Sequence, residues 1–111
     1  MISDDHLEEL RAVCPGAKQA TEAGLDFVLL PGLPMPPGCS PGVVDCLLCL
    51  GPRDGYSSRL FFAQPVGSRE PRNWNGQNIR ILERNWFAFS WRAPDGLRPM
   101  ATLIAHLKAL R

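Results

Sequence analysis

Apolar residues recur every three or four positions near both ends of the chain, a spacing that predicts two amphipathic helices. The first covers residues 3–14 and has Ser3 as a suitable N-cap. The second covers residues 97–111 and carries Pro99 in its first turn, where proline is tolerated. Its apolar stripe consists of Leu97, Met100, Leu103, Ile104, Leu107 and Leu110. We expect this stripe to face the core.

The segment between the helices has the pattern of β-strands. Its strand-like stretches are residues 17–30, 43–50, 59–66 and 78–92, and the last has room for a break in its middle. Asp54-Gly55 is a hairpin signal, so the second and third stretches should pair antiparallel. Residues 31–42 hold five prolines and three glycines, which predicts an extended loop.

These elements predict one α+β domain that covers residues 1–111. It should contain an N-terminal helix, a four-stranded antiparallel meander sheet and a C-terminal helix packed on the sheet. The chain is 45% hydrophobic and 21% charged, which is typical of a globular protein. It has no apolar run of the roughly 20 residues that a membrane span requires, so we expect no membrane partner. The acidic N-terminus is unlike a signal peptide, and this difference favours a cytoplasmic location.

Charge and cysteine placement add little specific chemistry. Net charge is −5 over residues 1–55 and +6 over residues 56–111, a split that can orient a partner. Cys46 and Cys49 lie in an apolar strand, three positions apart and therefore on opposite faces. They are predicted to be buried free thiols rather than metal ligands.

His6 and His106 are predicted to be solvated or structural. No phosphate loop, nucleophile motif or metal cluster occurs, so we expect no cofactor and no metal.

Residues 59–92 combine arginine with tryptophan. Arginines that contact phosphates and aromatic rings that stack on bases are features of single-stranded nucleic-acid grooves. The simpler interpretation places the tryptophans in the core and the arginines on solvated strand faces. Nucleic acid is therefore an alternative partner rather than the expected one. The residues concerned are Arg59, Arg69, Arg72, Arg80, Arg84 and Arg92, with Trp74, Trp86 and Trp91.

Three strings resemble the ubiquitin-conjugating-enzyme-like (UBC) superfamily, in particular its prokaryotic family E. They are the segment 27–38, Asp54-Gly55-Tyr56 before the third predicted strand, and the segment 91–97 before the closing helix. The order of helix, four strands and helix is also similar to UBC and related RWD folds. The resemblance covers most of residues 24–111.

The chain departs from this family at the nucleophile. A conjugating enzyme carries its thioester-forming cysteine after the fourth strand, but residues 50–111 contain no cysteine, and the usual His-Pro-Asn is absent. The resemblance therefore implies a catalytically inactive domain that noncovalently binds a ubiquitin-like protein, or a conjugating or activating enzyme of the same operon. It also implies a bacterial, often antiphage, context. The alternative within the family is an active enzyme with a displaced nucleophile, Cys39 or Ser90.

The predicted partner-binding residues lie in the proline-rich segment and near turns. A stiff, extended segment loses little entropy when it docks, so its apolar side chains are candidate anchors. The same segment could instead cover the core. Two aromatic residues flanked by turn residues are the next candidates. The full set is Leu33, Met35, Pro36, Pro37, Tyr56 and Trp74.

Overall fold

A computed structural model describes residues 2–110 as two helices and one six-stranded antiparallel sheet. The elements are α1 (Asp4–Arg11), β1 (Lys18–Glu22), β2 (Leu25–Pro34), β3 (Val43–Cys49), β4 (Arg59–Phe62), β5 (Gly76–Ile81), β6 (Arg84–Ala88) and α2 (Pro99–Leu110). The strand order is β1-β2-β3-β4-β6-β5. The predicted α+β class, the helix near each end and the antiparallel pairing are confirmed. The predicted C-terminal residue of the closing helix, Arg111, lies outside the described residues.

The sheet has six strands rather than the predicted four, because two stretches fold back on themselves. Ala23-Gly24 separates β1 from β2, and Leu82-Glu83 separates β5 from β6. All four of these residues have positive φ, which a two-residue turn of this hand requires. The second turn is the break expected within residues 78–92. It also ends the meander, since β6 rather than β5 pairs with β4.

The proline-rich segment is a strand in its first part, contrary to the loop predicted for residues 31–42. Strand β2 continues to Pro34, and its register with β3 shifts between Leu30 and Leu33. Proline is tolerated at such a bulge because its missing N–H costs no ladder bond there. Gly32, which follows Pro31 in this bulge, has φ +63° and donates its N–H to the Asp45 carboxylate at 2.7 Å. A side chain thus supplies the acceptor that the shifted ladder does not.

Strand β3 is buried on both faces of the sheet. One core cluster contains its Cys46 and Leu48, packed with Leu10 of α1 and Leu103 of α2. The other cluster contains its Leu47 and Cys49. The remaining members of this second cluster are Phe27, Phe61, Ile81, Trp86 and Ala88. The helices therefore cover one face, and the sheet curls so that the β5–β6 hairpin covers the other.

The curl is held by polar contacts at the rim. Both Glu22 carboxylate oxygens, at the end of β1, accept from the Leu82 N–H in the β5–β6 turn, at 3.2 and 3.3 Å. Arg84 donates to Asp45 of β3 at 3.3 Å. The two outermost strands are therefore brought towards each other across the second core.

Helix α2 packs on the sheet, as predicted, but the face that it buries differs from the predicted apolar stripe. Leu103 and Leu110 are fully buried, whereas Ile104, on the predicted stripe, is 41% exposed. His106 is buried in its place, so of the two states predicted for this histidine, solvated or structural, the solvated one is wrong. The N-cap of α1 is confirmed, since the Ser3 hydroxyl accepts from the His6 backbone N–H at 3.2 Å.

Truncation of the closing helix should discriminate between its faces. We expect Leu103→Ala to lower the free energy of unfolding by roughly 2–5 kcal/mol, because Leu103 is 1% exposed and its loss leaves a cavity. Ile104→Ala should cost less than about 1 kcal/mol, since its side chain is already hydrated. Urea unfolding of both variants measures the difference. Equal losses would mean that the helix is rotated from the orientation described.

Candidate functional site

The predicted anchors of the proline-rich segment divide between core and surface. Leu33 and Met35 are buried in the core cluster beneath the helices. Pro36 is half-buried and Pro37 is exposed. The alternative prediction, that this segment covers the core, therefore describes Leu33 and Met35, whose side chains do not project from the surface. Sequence patterning could not separate these roles, because an apolar residue between prolines suits both.

The two predicted aromatic anchors are held by neighbouring side chains. Trp74 is half-buried and packs edge-on against Phe62 and Phe89, with ring centroids 5.4 and 5.5 Å apart. Tyr56 is buried beneath arginine side chains, and its hydroxyl accepts from the Asn75 amide at 3.1 Å. Neither ring projects freely into solvent. The six predicted residues do not form one exposed patch.

An apolar groove lies between the end of α1, the end of β2 and one face of α2. It has a volume of about 340 Å³. The residues that line it are all of apolar type: Val13, Leu33, Pro34, Met100, Leu103, Ile104 and Leu107. Leu33 and Leu103 are buried, whereas Val13 and Ile104 are 39% and 41% exposed. Leu33, a predicted binding residue, thus belongs to the groove as buried lining.

Polar contacts link α1 to the start of α2 and to the loop that follows α1. Arg98, next to the start of α2, donates to Glu9 of α1 at 2.6 Å. Arg11 donates from its Nε to the Ala17 carbonyl at 3.1 Å, which ties the end of α1 to the following loop. Ile104 was a member of the predicted stripe of the closing helix, and Val13 lay within the predicted first helix. A helical pattern gives no sign of how two helices pack against each other, so the groove itself was not predicted.

The cysteines differ in their environment. Cys46 and Cys49 are buried free thiols on opposite faces of the sheet, as predicted. Burial raises the pKa of Cys14, Cys46 and Cys49, which disfavours the reactive thiolate. Cys39 is half-buried. Among residues 2–110, no group of three or more histidine, cysteine, aspartate or glutamate side chains is placed to hold a metal ion.

Two serines lie near polar partners. Ser90, one displaced nucleophile considered above, is exposed, and its Oγ lies 3.5 Å from the Tyr56 hydroxyl. Ser58 Oγ lies 3.4 Å from His106 Nε2, a pairing that the sequence did not reveal because the residues are 48 positions apart. The His106 ring also packs edge-on against Trp91, with centroids 5.1 Å apart.

His106 is neutral in the folded protein. Burial, with a smaller effect from the nearby Arg59 charge, lowers the pKa of His106 from 6.5 to about 4. A base with so low a pKa removes a serine proton poorly at neutral pH. The Ser58–His106 contact joins the residue before β4 to α2.

The arginines of residues 59–92 do not share one environment. Arg59 is buried in β4, and Arg84 pairs with Asp45. Arg69, Arg80 and Arg92 are exposed. Of the three tryptophans, Trp86 is fully buried and the others are half-buried. The arrangement lacks the exposed aromatic rings on which bases stack in a single-strand groove.

Comparison of the chain with models of known protein families, with curated proteins and with solved structures finds no match. Within residues 2–110, neither helix has the length and apolar character needed to cross a bilayer.

Thiol accessibility gives a direct test of the cysteine environments. In the native protein, we expect Cys39 to react with a thiol reagent at least about tenfold faster than the other cysteines, which must first be exposed by opening of the fold. Mass spectrometry of the labelled peptides identifies each site. Uniform labelling of all four cysteines without denaturant would contradict the described burial.

The neutral state of His106 predicts a pH dependence of stability. Below pH 6.5 the unfolded chain protonates this histidine while the folded chain does not, so stability should fall as pH drops towards 4. The expected loss is roughly 3 kcal/mol over this range, since one pKa unit corresponds to about 1.4 kcal/mol. His106→Gln should remove this part of the pH dependence, and His6→Gln should retain it. Urea unfolding at several pH values, or NMR titration of the imidazole, measures the effect; parallel curves for native protein and His106→Gln would disprove it.

Proposed function

We propose that this domain is a catalytically inactive relative of ubiquitin-conjugating enzymes that binds a partner protein noncovalently. The partner is a ubiquitin-like protein, or an enzyme that activates or conjugates one, as the sequence resemblance implies. The observation that carries the binding proposal is the apolar groove between α1, β2 and α2. The resemblance supplies the class of partner, and the groove supplies a surface that suits an apolar anchor.

The groove has the properties of a preformed docking site. Its buried residues, Leu33 and Leu103, are fixed in the core, so that they lose little freedom on binding. Its exposed residues, Val13 and Ile104, would bury apolar area against a partner. A side chain that fills such a pocket commonly supplies much of the binding energy of an interface.

The placement of the thiols supports a noncatalytic role. No cysteine follows Cys49 in the sequence, and the pKa of each of the three buried thiols is raised by burial. A nucleophilic thiol requires the opposite shift, usually from a histidine or another cation. The described hydrogen bonds of residues 2–110 include none between a histidine and either Cys39 or Ser90.

An active conjugating enzyme is the second candidate, and one observation favours it. Cys39 is the least buried of the cysteines, so a tail of a ubiquitin-like protein could reach its sulfur. A thioester adduct that is cleaved by a thiol reductant and that does not form in Cys39→Ser would support this candidate. If the native protein forms no adduct on a non-reducing gel and binding persists in Cys39→Ser, the noncovalent role is supported.

Charge substitution in the groove tests the proposal. We expect Ile104→Glu and Val13→Glu to weaken binding at least about tenfold, because a charge would be desolvated in an apolar contact. The binding partner in this test is the ubiquitin-like protein, or the conjugating enzyme, encoded in the same operon. Calorimetry or a pull-down with purified components measures the loss.

Leu97→Glu is the matched control. Leu97 is 39% exposed and lines a different depression, with Leu50, Ser57 and Thr102. It adds the same charge at similar exposure and should leave binding unchanged. Thermal unfolding must show that all three variants are folded. Equal binding by the control and both groove variants would remove the groove from the proposal.

Salt-dependent binding to single-stranded DNA, with no protein partner, would favour the nucleic-acid alternative.

A further inference from the structure

Two guanidinium groups lie over the ring of Tyr56. The Cζ atom of Arg59 is 4.1 Å from the ring centroid, and that of Arg92 is 4.8 Å from it. Arg92 also donates to the Gly55 carbonyl, and Arg59 donates to the Asn75 side-chain carbonyl. The ring thus holds two positive charges close together.

The inner arginine lacks a counter-ion. Arg59 is only 4% exposed, its Nε has no hydrogen-bond partner, and it takes part in none of the ion pairs among residues 2–110. The Asp54 carboxylate acts on it electrostatically but lies 3.5 Å from the Nε of Arg53. A buried charge is costly unless it is paired, and cation–π contact with Tyr56 offsets only part of that cost.

A third arginine adds to the local excess of positive charge. Arg53 is linked to Tyr56 by two backbone hydrogen bonds of 2.9 Å, and its own Nε has no hydrogen-bond partner. Arg59 and Arg92 thus lie over one tyrosine ring, and the charge of Arg53, whose Nε lies 3.5 Å from the Asp54 carboxylate, also acts on Arg59. The field of Arg59 also extends to His106, where it opposes protonation. An anion bound here would reduce the repulsion among the three cations.

We propose that the arginines around Tyr56 form a binding site for a single oxyanion, the phosphate or carboxylate group of a ligand. Arg92, the exposed member, supplies the outer guanidinium contact, for which the planar fork matches an oxyanion. Arg59 supplies a fixed inner charge. The exposed hydroxyl of Ser90, next to the Tyr56 hydroxyl, is a neutral donor at the same site. This site shares no residue with the apolar groove, so it is independent of the function proposed above.

Titration of the unmodified protein with inorganic phosphate at constant ionic strength is the first test. Backbone amide NMR signals of Gly55, Tyr56 and Arg92 should shift and saturate. A parallel titration with acetate separates the two sources of the oxyanion, since a phosphate site should saturate at lower phosphate than acetate concentration and a carboxylate site at lower acetate concentration. No saturable shift at these residues with either anion would overturn the proposal.

Thermal unfolding with a matched charge control is the second test. A near-saturating oxyanion should raise the Tm by about 4 °C relative to chloride. Arg92→Gln should lose this increment, and Arg92→Lys should retain only part of it. Arg80→Gln removes the same charge at an exposed position on β5 and should keep the full increment. An equal increment in Arg92→Gln and Arg80→Gln would identify the effect as general salt stabilisation and overturn the proposal.

Discussion

The burial of strand β3 on both faces is the constraint on which the rest of the fold depends. Side chains of a strand alternate, so Cys46 and Leu48 on one face and Leu47 and Cys49 on the other require two separate covers. Residues 2–110 contain two helices, and both lie on one face. The other face is covered by curling the sheet, which requires the β5–β6 hairpin to cross the second core.

The sequence predicted the elements whose pattern is local and missed those that depend on an unusual turn. Ser3, the apolar run of β3 and the proline-tolerant start of α2 follow from spacing and propensity alone. The strand count was wrong because Ala23-Gly24 and Leu82-Glu83 lack the Asn-Gly or Asp-Gly signature of a tight hairpin, although they adopt the required positive φ. Leucine and glutamate adopt that conformation here because the surrounding pairing of β5 with β6 fixes them.

Site prediction was limited by a different cause. Residues chosen for stiffness or aromaticity, such as Leu33 and Tyr56, are the ones that the fold uses to fill its interior. The exposed residues of the groove are Val13, just after α1, and Ile104 of α2, and their exposure depends on how these segments pack against each other. The contact of His106 with Ser58 likewise joins two distant segments. Information of this kind lies in tertiary packing and not in any short window of sequence.

The closure between Glu22 and Leu82 also affects how this molecule behaves towards other chains. Outer strands present unpaired backbone groups that template intermolecular β-pairing, the first step of many aggregation reactions. In this sheet the Glu22 carboxylate at the end of β1 accepts from the Leu82 N–H at the turn of the opposite hairpin, so the two margins are linked at this corner. A ribbon-like extension of the sheet by a foreign peptide is thereby hindered at this corner.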